Sequence, residues 1–252
     1  MTERPRLFIG YDPDEALAYS VFAFSVLRRA SLPIATLPLA LAQLCPRVFD
    51  RARDPLQSTD FAFTRFLVPH LCGYEGWAIF ADCDMLCRWD LADLWALRDD
   101  RYAVMVVKHD YEQEEGVKFL GRRQSRYPRK NWSSVMLFNN HRCRALTPSY
   151  VETASGLDLH RFGWLPGDGW DIGVLPPAWN HLVGVNAPDP EAKLVHYTLG
   201  MPFFHGYSEC EYARDWRAER DAMMAYRGQG DDGARFGARP AGESLAELES
   251  RN

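Results

Sequence analysis

Two aspartates lie one residue apart at the end of an apolar run. Asp82 and Asp84 follow residues 77–81, whose composition is typical of a buried strand. Residues i and i+2 of an extended chain point the same way, so both carboxylates can reach one ligand. Two neighbouring negative charges on an apolar floor are costly unless a cation neutralises them, and carboxylate oxygens suit Mg²⁺ or Mn²⁺. The spacing predicts either a divalent-cation site or a solvated turn at a strand end.

Two other groups of small polar residues could contact a ligand. Asn131, Ser133 and Ser134 precede an apolar segment, where they could recognise the hydroxyl groups of a ligand or cap a strand. Asp168 and Asp171 lie in a loop rich in glycine and tryptophan. These aspartates could accept hydrogen bonds from a ligand, or they could form turns. Both readings stay open for both groups.

Arg65 and His196 are two further candidates. The guanidinium of Arg65 could form a charge-assisted fork with phosphate, or it could lie on a helix surface. His196 ends an apolar run, where a neutral imidazole could bind a metal ion or hydrogen-bond to the backbone.

The first forty residues predict a β-α-β unit. Residues 7–10 and 34–39 are apolar enough for buried strands, the second broken by Pro38. Residues 16–29 have apolar side chains at helical spacing and end in two arginines, which suit a helix C-terminus. A strand, a helix and a second strand in this order are typical of a parallel sheet with crossover helices.

Later segments continue this alternation. Further strands are predicted at residues 77–81, 102–107, 134–138 and 193–197, and short helices at residues 64–71 and 91–97. The predicted fold class is therefore α/β, with one domain over residues 1–227 and a mixed, mostly parallel sheet flanked by helices. Residues 228–252 are rich in Gly, Asp, Ala, Arg and Ser, and we predict a flexible tail there. In such sheets ligands bind at the carboxyl ends of strands, where Asp82 and Asp84 lie.

Six segments, in order over residues 7–204, resemble those of family 8 glycosyltransferases, which have the GT-A (Rossmann-like) fold. They are Phe8-Ile9-Gly10-Tyr11-Asp12, Thr64-Arg65-Phe66, Ala81-Asp82-Cys83-Asp84-Met85-Leu86, residues 131–139, Leu175-Pro176-Pro177-Ala178-Trp179-Asn180 and His196-Tyr197-Thr198-Leu199-Gly200-Met201-Pro202-Phe203.

The resemblance implies an enzyme that takes a sugar from a nucleotide-sugar, with a UDP-sugar favoured, to a glycan or other hydroxyl-bearing acceptor, with retention of configuration. It also implies a Mn²⁺ or Mg²⁺ ion held by Asp82, Asp84 and His196. The residues expected to contact the nucleotide-sugar are Gly10, Tyr11, Asp12, Arg65, Asp82, Cys83, Asn131, Ser133 and Gly200. The residues expected to act in catalysis are Ser134, Asp168 and Asp171.

The sequence departs from the family pattern in its phosphate contacts. Met201-Pro202 stands where the family has Lys-Pro, and one extra residue separates His196 from Gly200. Between residues 116 and 151 there are eight basic side chains and no acid: Lys118, Arg122, Arg123, Arg126, Arg129, Lys130, Arg142 and Arg144. This basic segment predicts either a solvated loop face or a lid that closes over the donor phosphates in place of the missing lysine.

Bulk properties exclude some classes and leave two alternatives. A net charge of −5 gives no reason to expect nucleic acid or membrane partners, and no apolar run is long enough to cross a bilayer. With no signal-peptide pattern and six scattered cysteines, we predict a cytoplasmic protein with reduced thiols. A nucleotidyltransferase would need a glycine-rich basic loop after the first strand, which residues 10–13 lack. A degenerate nucleotide-sugar-binding protein is the other alternative.

Overall fold

The computed structural model describes residues 3–54, 57–110, 116–117, 123–124, 129–166 and 169–225. Its strands, in chain order, are β1 (Arg6–Tyr11), β2 (Ala35–Ala40), β3 (Trp77–Ala81), β4 (Met85–Cys87), β5 (Val104–Val106), β6 (Gly116–Val117), β7 (Arg123–Gln124), β8 (Val135–Asn139), β9 (Ile172–Val174), β10 (His181–Leu182) and β11 (Leu194–His196). Its α-helices are α1 (Ala16–Arg29), α2 (Leu41–Leu44), α3 (Val68–Leu71), α4 (Leu91–Ala96), α5 (Pro148–Thr153), α6 (Gly156–His160) and α7 (Ala213–Met224).

Six strands form the central sheet in the order β2-β1-β3-β8-β5-β9. The β1–β2, β1–β3 and β5–β9 pairs are parallel, whereas β8 runs antiparallel to both of its neighbours. The predicted mixed, mostly parallel sheet is therefore confirmed. A second sheet has the order β10-β11-β4, and β6 pairs with β7.

The predicted β-α-β opening is confirmed, with one correction at Pro38. Asp12 caps the turn before α1, because its side chain accepts a hydrogen bond from the backbone N–H of Asp14. Helix α1 spans the predicted residues and buries one face against the sheet. Strand β2 continues through Pro38, which we predicted would break it. This strand is the edge of the sheet, where the missing N–H of proline removes no bond to a neighbour.

The core lies on both faces of the central sheet. Every residue of β3 and β8 is buried, so these strands read as continuous apolar runs rather than alternating ones. Helix α7, which the sequence analysis did not predict, packs on α1 through buried Trp216 and through Glu219, which pairs with Arg28 and Arg29. The predicted tail lies outside the described residues. In the described part of the chain, no helix is both long and apolar enough to cross a membrane.

Candidate metal centre

The carboxyl ends of β1, β3 and β5 meet at one edge of the central sheet. Because β8 is antiparallel to β3, its first residues come to this same edge, and the N–H of Asp82 donates to the carbonyl of Ser134 at 2.9 Å. The segments after β1 and β3 and the turn before β8 therefore converge, as the predicted site requires.

The small sheet brings His196 to Asp82 and Asp84. His196 ends β11 and pairs with Met85 of β4, and the N–H of Tyr197 donates to the carbonyl of Asp84 at 2.9 Å. One ligand atom from each of Asp82, Asp84 and His196 lies within 4.8 Å of the others. His196 Nε2 is 3.3 Å from Asp84 Oδ1. These three side chains, the metal cluster, have the donor atoms and spacing that a divalent cation uses.

Buried Arg65 is the counter-ion of Asp82. Its Nη1 lies 2.8 Å from Asp82 Oδ1 and donates to the carbonyl of Ser133 at 2.9 Å. Its Nε donates to the carbonyl of Phe61, and its guanidinium lies about equally far from the Phe61 and Phe80 rings, 5.2 and 5.1 Å. Arg65 therefore orients Asp82 from a fixed position. Its predicted contact with the donor stays a prediction.

Ser133 is held by His160 of α6. The Ser133 hydroxyl and His160 Nδ1 are 2.8 Å apart, and the imidazole packs edge-on against Phe66. Burial, and then the positive charge of Arg65, lower the pKa of His160 from 6.5 to about 3. His160 is therefore neutral at pH 7, and its lone pair or its N–H, according to the tautomer, is committed to Ser133.

This neutral histidine predicts an acid-sensitive fold. Below pH 6.5 the unfolded chain protonates His160, but the folded protein does not until about pH 3, so stability falls as the pH falls through this window. The slope from this one group is about 1.4 kcal/mol per pH unit. Urea unfolding between about pH 7 and pH 4 gives the free energy of unfolding as a function of pH. We expect the slope of this dependence to be smaller in His160→Gln than in the wild-type protein by that amount. Parallel curves for the two proteins would contradict this assignment.

Ser134 and Asn131 belong to a buried hydrogen-bond network. The Ser134 hydroxyl donates to the carbonyl of Asn131 at 2.6 Å and accepts from Asn180 Nδ2 at 2.8 Å. Asn180 Oδ1 lies 3.1 Å from His196 Nδ1. Because the Ser134 side chain is buried and both of these bonds are internal, the structure does not present it to a substrate as the predicted catalytic role requires.

Cys83, between the two aspartates, faces the core. Its thiol donates to Glu15 Oε2 at 3.2 Å, and both residues are buried. Burial raises the pKa of Cys83 well above its ordinary value, and the charges of Glu15 and Asp84 add to this. The thiol is therefore inert, and the predicted contact of Cys83 with the donor stays a prediction.

The predicted glycines have packing roles. A Cβ at Gly10 would lie 2.5 Å from the Phe61 ring, and one at Gly200 would lie 2.6 Å from the Tyr207 ring. Tyr11 lies at the carboxyl end of β1, where its ring contacts Tyr19 edge-on at 5.4 Å. Gly10 and Tyr11 therefore lie at the edge of the sheet where the predicted nucleoside site would be.

Asp12 follows Tyr11 at the same edge. Its Oδ2 accepts from the backbone N–H of Asp60 at 3.1 Å, in addition to the cap before α1. This carboxylate fixes the loop after β1. Its predicted contact with the nucleoside stays a prediction.

The structure does not bring Asp171 to the metal cluster. Asp171 precedes β9, which is parallel to β5, so it lies at the amino end of these strands, where its carbonyl accepts from Ala103. Its carboxylate forms an ion pair with Arg142 at 2.7 Å. Asp168, the other predicted catalytic aspartate, lies outside the described residues.

The basic segment is described only in part. Lys118, Arg122 and Arg126 lie outside the described residues, and only the backbone of Arg123 is described. Arg129 donates to the carbonyl of Arg161 and lies near the Trp132 ring. The predicted lid stays a prediction.

Comparison with known proteins identifies the family. No family model matches the chain. It is 44% identical over 224 residues to protein CDI of Arabidopsis thaliana, and the match covers 86% of each protein. The chain belongs to the protein CDI family.

Solved glycosyltransferase structures share the fold of this CDI family member. WbbM, a bifunctional glycosyltransferase, superposes with a TM-score of 0.59 at 12% identity over 87% of this chain. GlyE of Streptococcus pneumoniae superposes with a TM-score of 0.56 at 15% identity over 86% of this chain. The galactosyltransferase LgtC, solved with donor and acceptor sugar analogues, superposes with a TM-score of 0.56 at 12% identity over 88% of this chain. The chain spans 50% of WbbM, 61% of GlyE and 97% of LgtC. The predicted GT-A fold is confirmed, and family 8 in particular is not tested.

Three residues of this CDI family member near the site were missed as functional candidates. His160 and Asn180 support Ser133 and His196 as described above. His109 follows β5 at the same sheet edge, and its pKa is lowered to about 4 by burial and then by His196 and His181. Two polar residues, Lys108 and His109, directly after a predicted strand are the available signal for His109. Nothing in the sequence signals the contact between His160 and Ser133.

Proposed function

We propose that this protein is a metal-dependent glycosyltransferase. It transfers a sugar from a nucleotide-sugar, a UDP-sugar favoured, to a glycan or another hydroxyl-bearing acceptor, with retention. The observation that carries this proposal is the metal cluster, Asp82, Asp84 and His196, at the carboxyl edge of the sheet in a GT-A fold. Ligands of open α/β sheets bind at this edge.

The cluster fits a hard divalent cation. Two carboxylates and one imidazole supply oxygen and nitrogen ligands within 4.8 Å, a set that suits Mn²⁺ or Mg²⁺. When bound, such an ion neutralises the negative charge that develops on a departing nucleoside diphosphate. The thiol of Cys83, between the aspartates, is not a ligand of this cation, because it faces the core.

The chain's own residues have separate tasks in this proposal. Asp82 and Asp84 would hold the cation that binds the diphosphate, and Arg65 holds Asp82 in place. Gly10 and Tyr11 line the nucleoside end of the site, at the carboxyl end of β1. We assign no task in the reaction to Ser134 or Asp171. The Ser134 side chain is buried, and Asp171 lies at the opposite edge of the central sheet.

Release of nucleoside diphosphate from a nucleotide-sugar tests the proposal. Without an acceptor, water replaces the acceptor hydroxyl, so we expect slow hydrolysis of one UDP-sugar that requires Mn²⁺ or Mg²⁺ and stops with a chelator. Chromatography of the nucleotides measures it. Binding of the donor without any release, with or without a panel of acceptor sugars, would instead support the degenerate binding protein.

A further inference from the structure

Asn180 connects the metal cluster to the turn before β8. It ends the 3-10 turn Pro177–Asn180 and is fully buried, between His196 on one side and the Asn131 carbonyl and Ser134 on the other. We infer that Asn180 is a positioning residue that keeps the proton of His196 on Nδ1, so that Nε2 offers its lone pair to the cation. This role rests on the proposed metal site.

The surroundings of Asn180 determine the orientation of its amide group. One amide atom lies 3.2 Å from the Asn131 carbonyl oxygen and 2.8 Å from Ser134 Oγ. The carbonyl has no proton, and Ser134 gives its only hydroxyl proton to that same carbonyl at 2.6 Å. Both neighbours therefore require a donor, which only the amide nitrogen can be. Exchanging the amide N and O would place two acceptors against the amide oxygen.

The amide oxygen then determines the tautomer of His196. Asn180 Oδ1 is 3.1 Å from His196 Nδ1, and an amide oxygen can only accept, so Nδ1 carries the proton. A neutral imidazole has one N–H, which leaves Nε2 with a lone pair, 3.3 Å from Asp84 Oδ1. His196 is buried, and with Nε2 unprotonated its lone pair would be available to a cation held by the metal cluster.

The backbone around Asn180 is well fixed. Trp179 is buried, the N–H of Lys193 donates to the carbonyl of Ala178 at 2.8 Å, and β10 pairs with β11 directly after the turn. Partners of this kind, beyond the ligands themselves, hold metal-binding histidines in one tautomer and orientation, and removing them lowers metal affinity about 10- to 100-fold.

The tautomer can be read directly, without metal or donor. In protein labelled with ¹⁵N-histidine, a two-dimensional spectrum that correlates ring nitrogens with ring carbon-bound protons distinguishes a protonated Nδ1 from a protonated Nε2. The chain has seven histidines, and the signal lost in His196→Gln identifies this one. In chelator-treated protein at about pH 9, well above the ordinary histidine pKa, we expect a proton on Nδ1 and a bare Nε2. A proton on Nε2 would overturn the inference.

Two Asn180 variants separate this role from general packing. Asn180→Leu removes the acceptor, so we expect the His196 proton to move to Nε2 and the Mn²⁺ dissociation constant to rise about 10- to 100-fold. Asn180→Asp keeps an acceptor facing Nδ1, and the Ser134 hydroxyl can turn to donate to its other carboxylate oxygen, so the tautomer should stay. An unchanged tautomer in Asn180→Leu would overturn the inference.

Asn140→Leu is the matched control. Asn140 is also fully buried, but it donates to the Glu75 carbonyl at the other end of the sheet, so its loss should destabilise the fold and leave the tautomer of His196 unchanged. If Asn180→Leu does not fold, the spectra of the wild-type and Asn180→Asp proteins test the inference, because both should show the His196 proton on Nδ1. Because the spectra contain no donor, failure of the proposed transfer activity would leave this result unaffected.

Discussion

Asp84→Asn is expected to abolish the stabilisation that a nucleotide-sugar gives in the presence of Mn²⁺. A ligand at a hundredfold excess over its dissociation constant stabilises the folded state by about 2.7 kcal/mol. For a chain of this size that corresponds to an increase in melting temperature of about 5–10 °C. The variant removes one negative charge from the metal cluster, so the cation and the diphosphate that it binds should both be lost. Thermal unfolding with donor, with and without Mn²⁺, measures the effect.

Asp171→Asn is the matched control for this prediction. Asp171 also lies at a strand terminus, but its carboxylate pairs with Arg142 at the opposite edge of the central sheet. Its variant should keep the full Mn²⁺-dependent increase in melting temperature. If Asp171→Asn lost the increase and Asp84→Asn kept it, the site would be at the other edge of the sheet.

Arg65→Met is expected to destabilise the metal-free protein by about 3–5 kcal/mol, which is the usual effect of removing one partner of a buried ion pair. Arg65 is buried, 2.8 Å from Asp82 Oδ1, and the substitution leaves that carboxylate next to Asp84 without its counter-ion. Urea unfolding measures the loss. Mn²⁺ should restore part of the stability, because the cation replaces the missing positive charge.

Two comparisons make the Arg65 prediction specific. Arg142→Met removes an ion pair of similar length, 2.7 Å, but the arginine is 41% exposed, so we expect a loss of about 1 kcal/mol or less. The double variant Arg65→Met/Asp82→Asn should be more stable than Arg65→Met alone, because it removes the uncompensated charge. Equal losses for Arg65→Met and Arg142→Met would show that Arg65 does not act as the counter-ion of Asp82.

The sequence predicts the central architecture because the signals there are local. Helix α1 follows a turn that Asp12 caps and has an apolar face, and β3 is a short apolar run that ends just before Asp82. Once β1 and β3 are parallel, their carboxyl ends must lie together, so the edge that carries the site follows from element order. Asp82, Asp84 and Tyr11 lie where this reasoning places them.

The positions of Ser134 and Asp171 relative to the site could not be predicted from the sequence, because they depend on the directions of the neighbouring strands. Ser134 was recognised as a strand entry, but only the antiparallel direction of β8 brings it to the site. Asp171 precedes a strand that runs parallel to β5, so it lies at the wrong edge, although it is as close to a strand as Asp82 is. Short strands such as β9 and β10 have too few residues for a periodic pattern to fix their direction.

The side-chain network around the metal cluster depends on contacts between residues distant in sequence. Ser133 meets His160, and His196 meets Asn180, only after the sheet and α6 have packed together. A resemblance of motifs singled out the segment that contains Asn180, but the function of the amide follows from its three neighbouring atoms, the Asn131 carbonyl oxygen, Ser134 Oγ and His196 Nδ1.

The most direct test of the central claim is thermal unfolding of the wild-type protein with a panel of UDP- and GDP-sugars, with and without Mn²⁺. The claim that Asp82, Asp84 and His196 hold a cation for a nucleotide-sugar predicts an increase in melting temperature of about 5–10 °C for at least one sugar at saturating concentration, and only when Mn²⁺ is present. No increase with any of these sugars, or the same increase in the presence of a chelator, would contradict it.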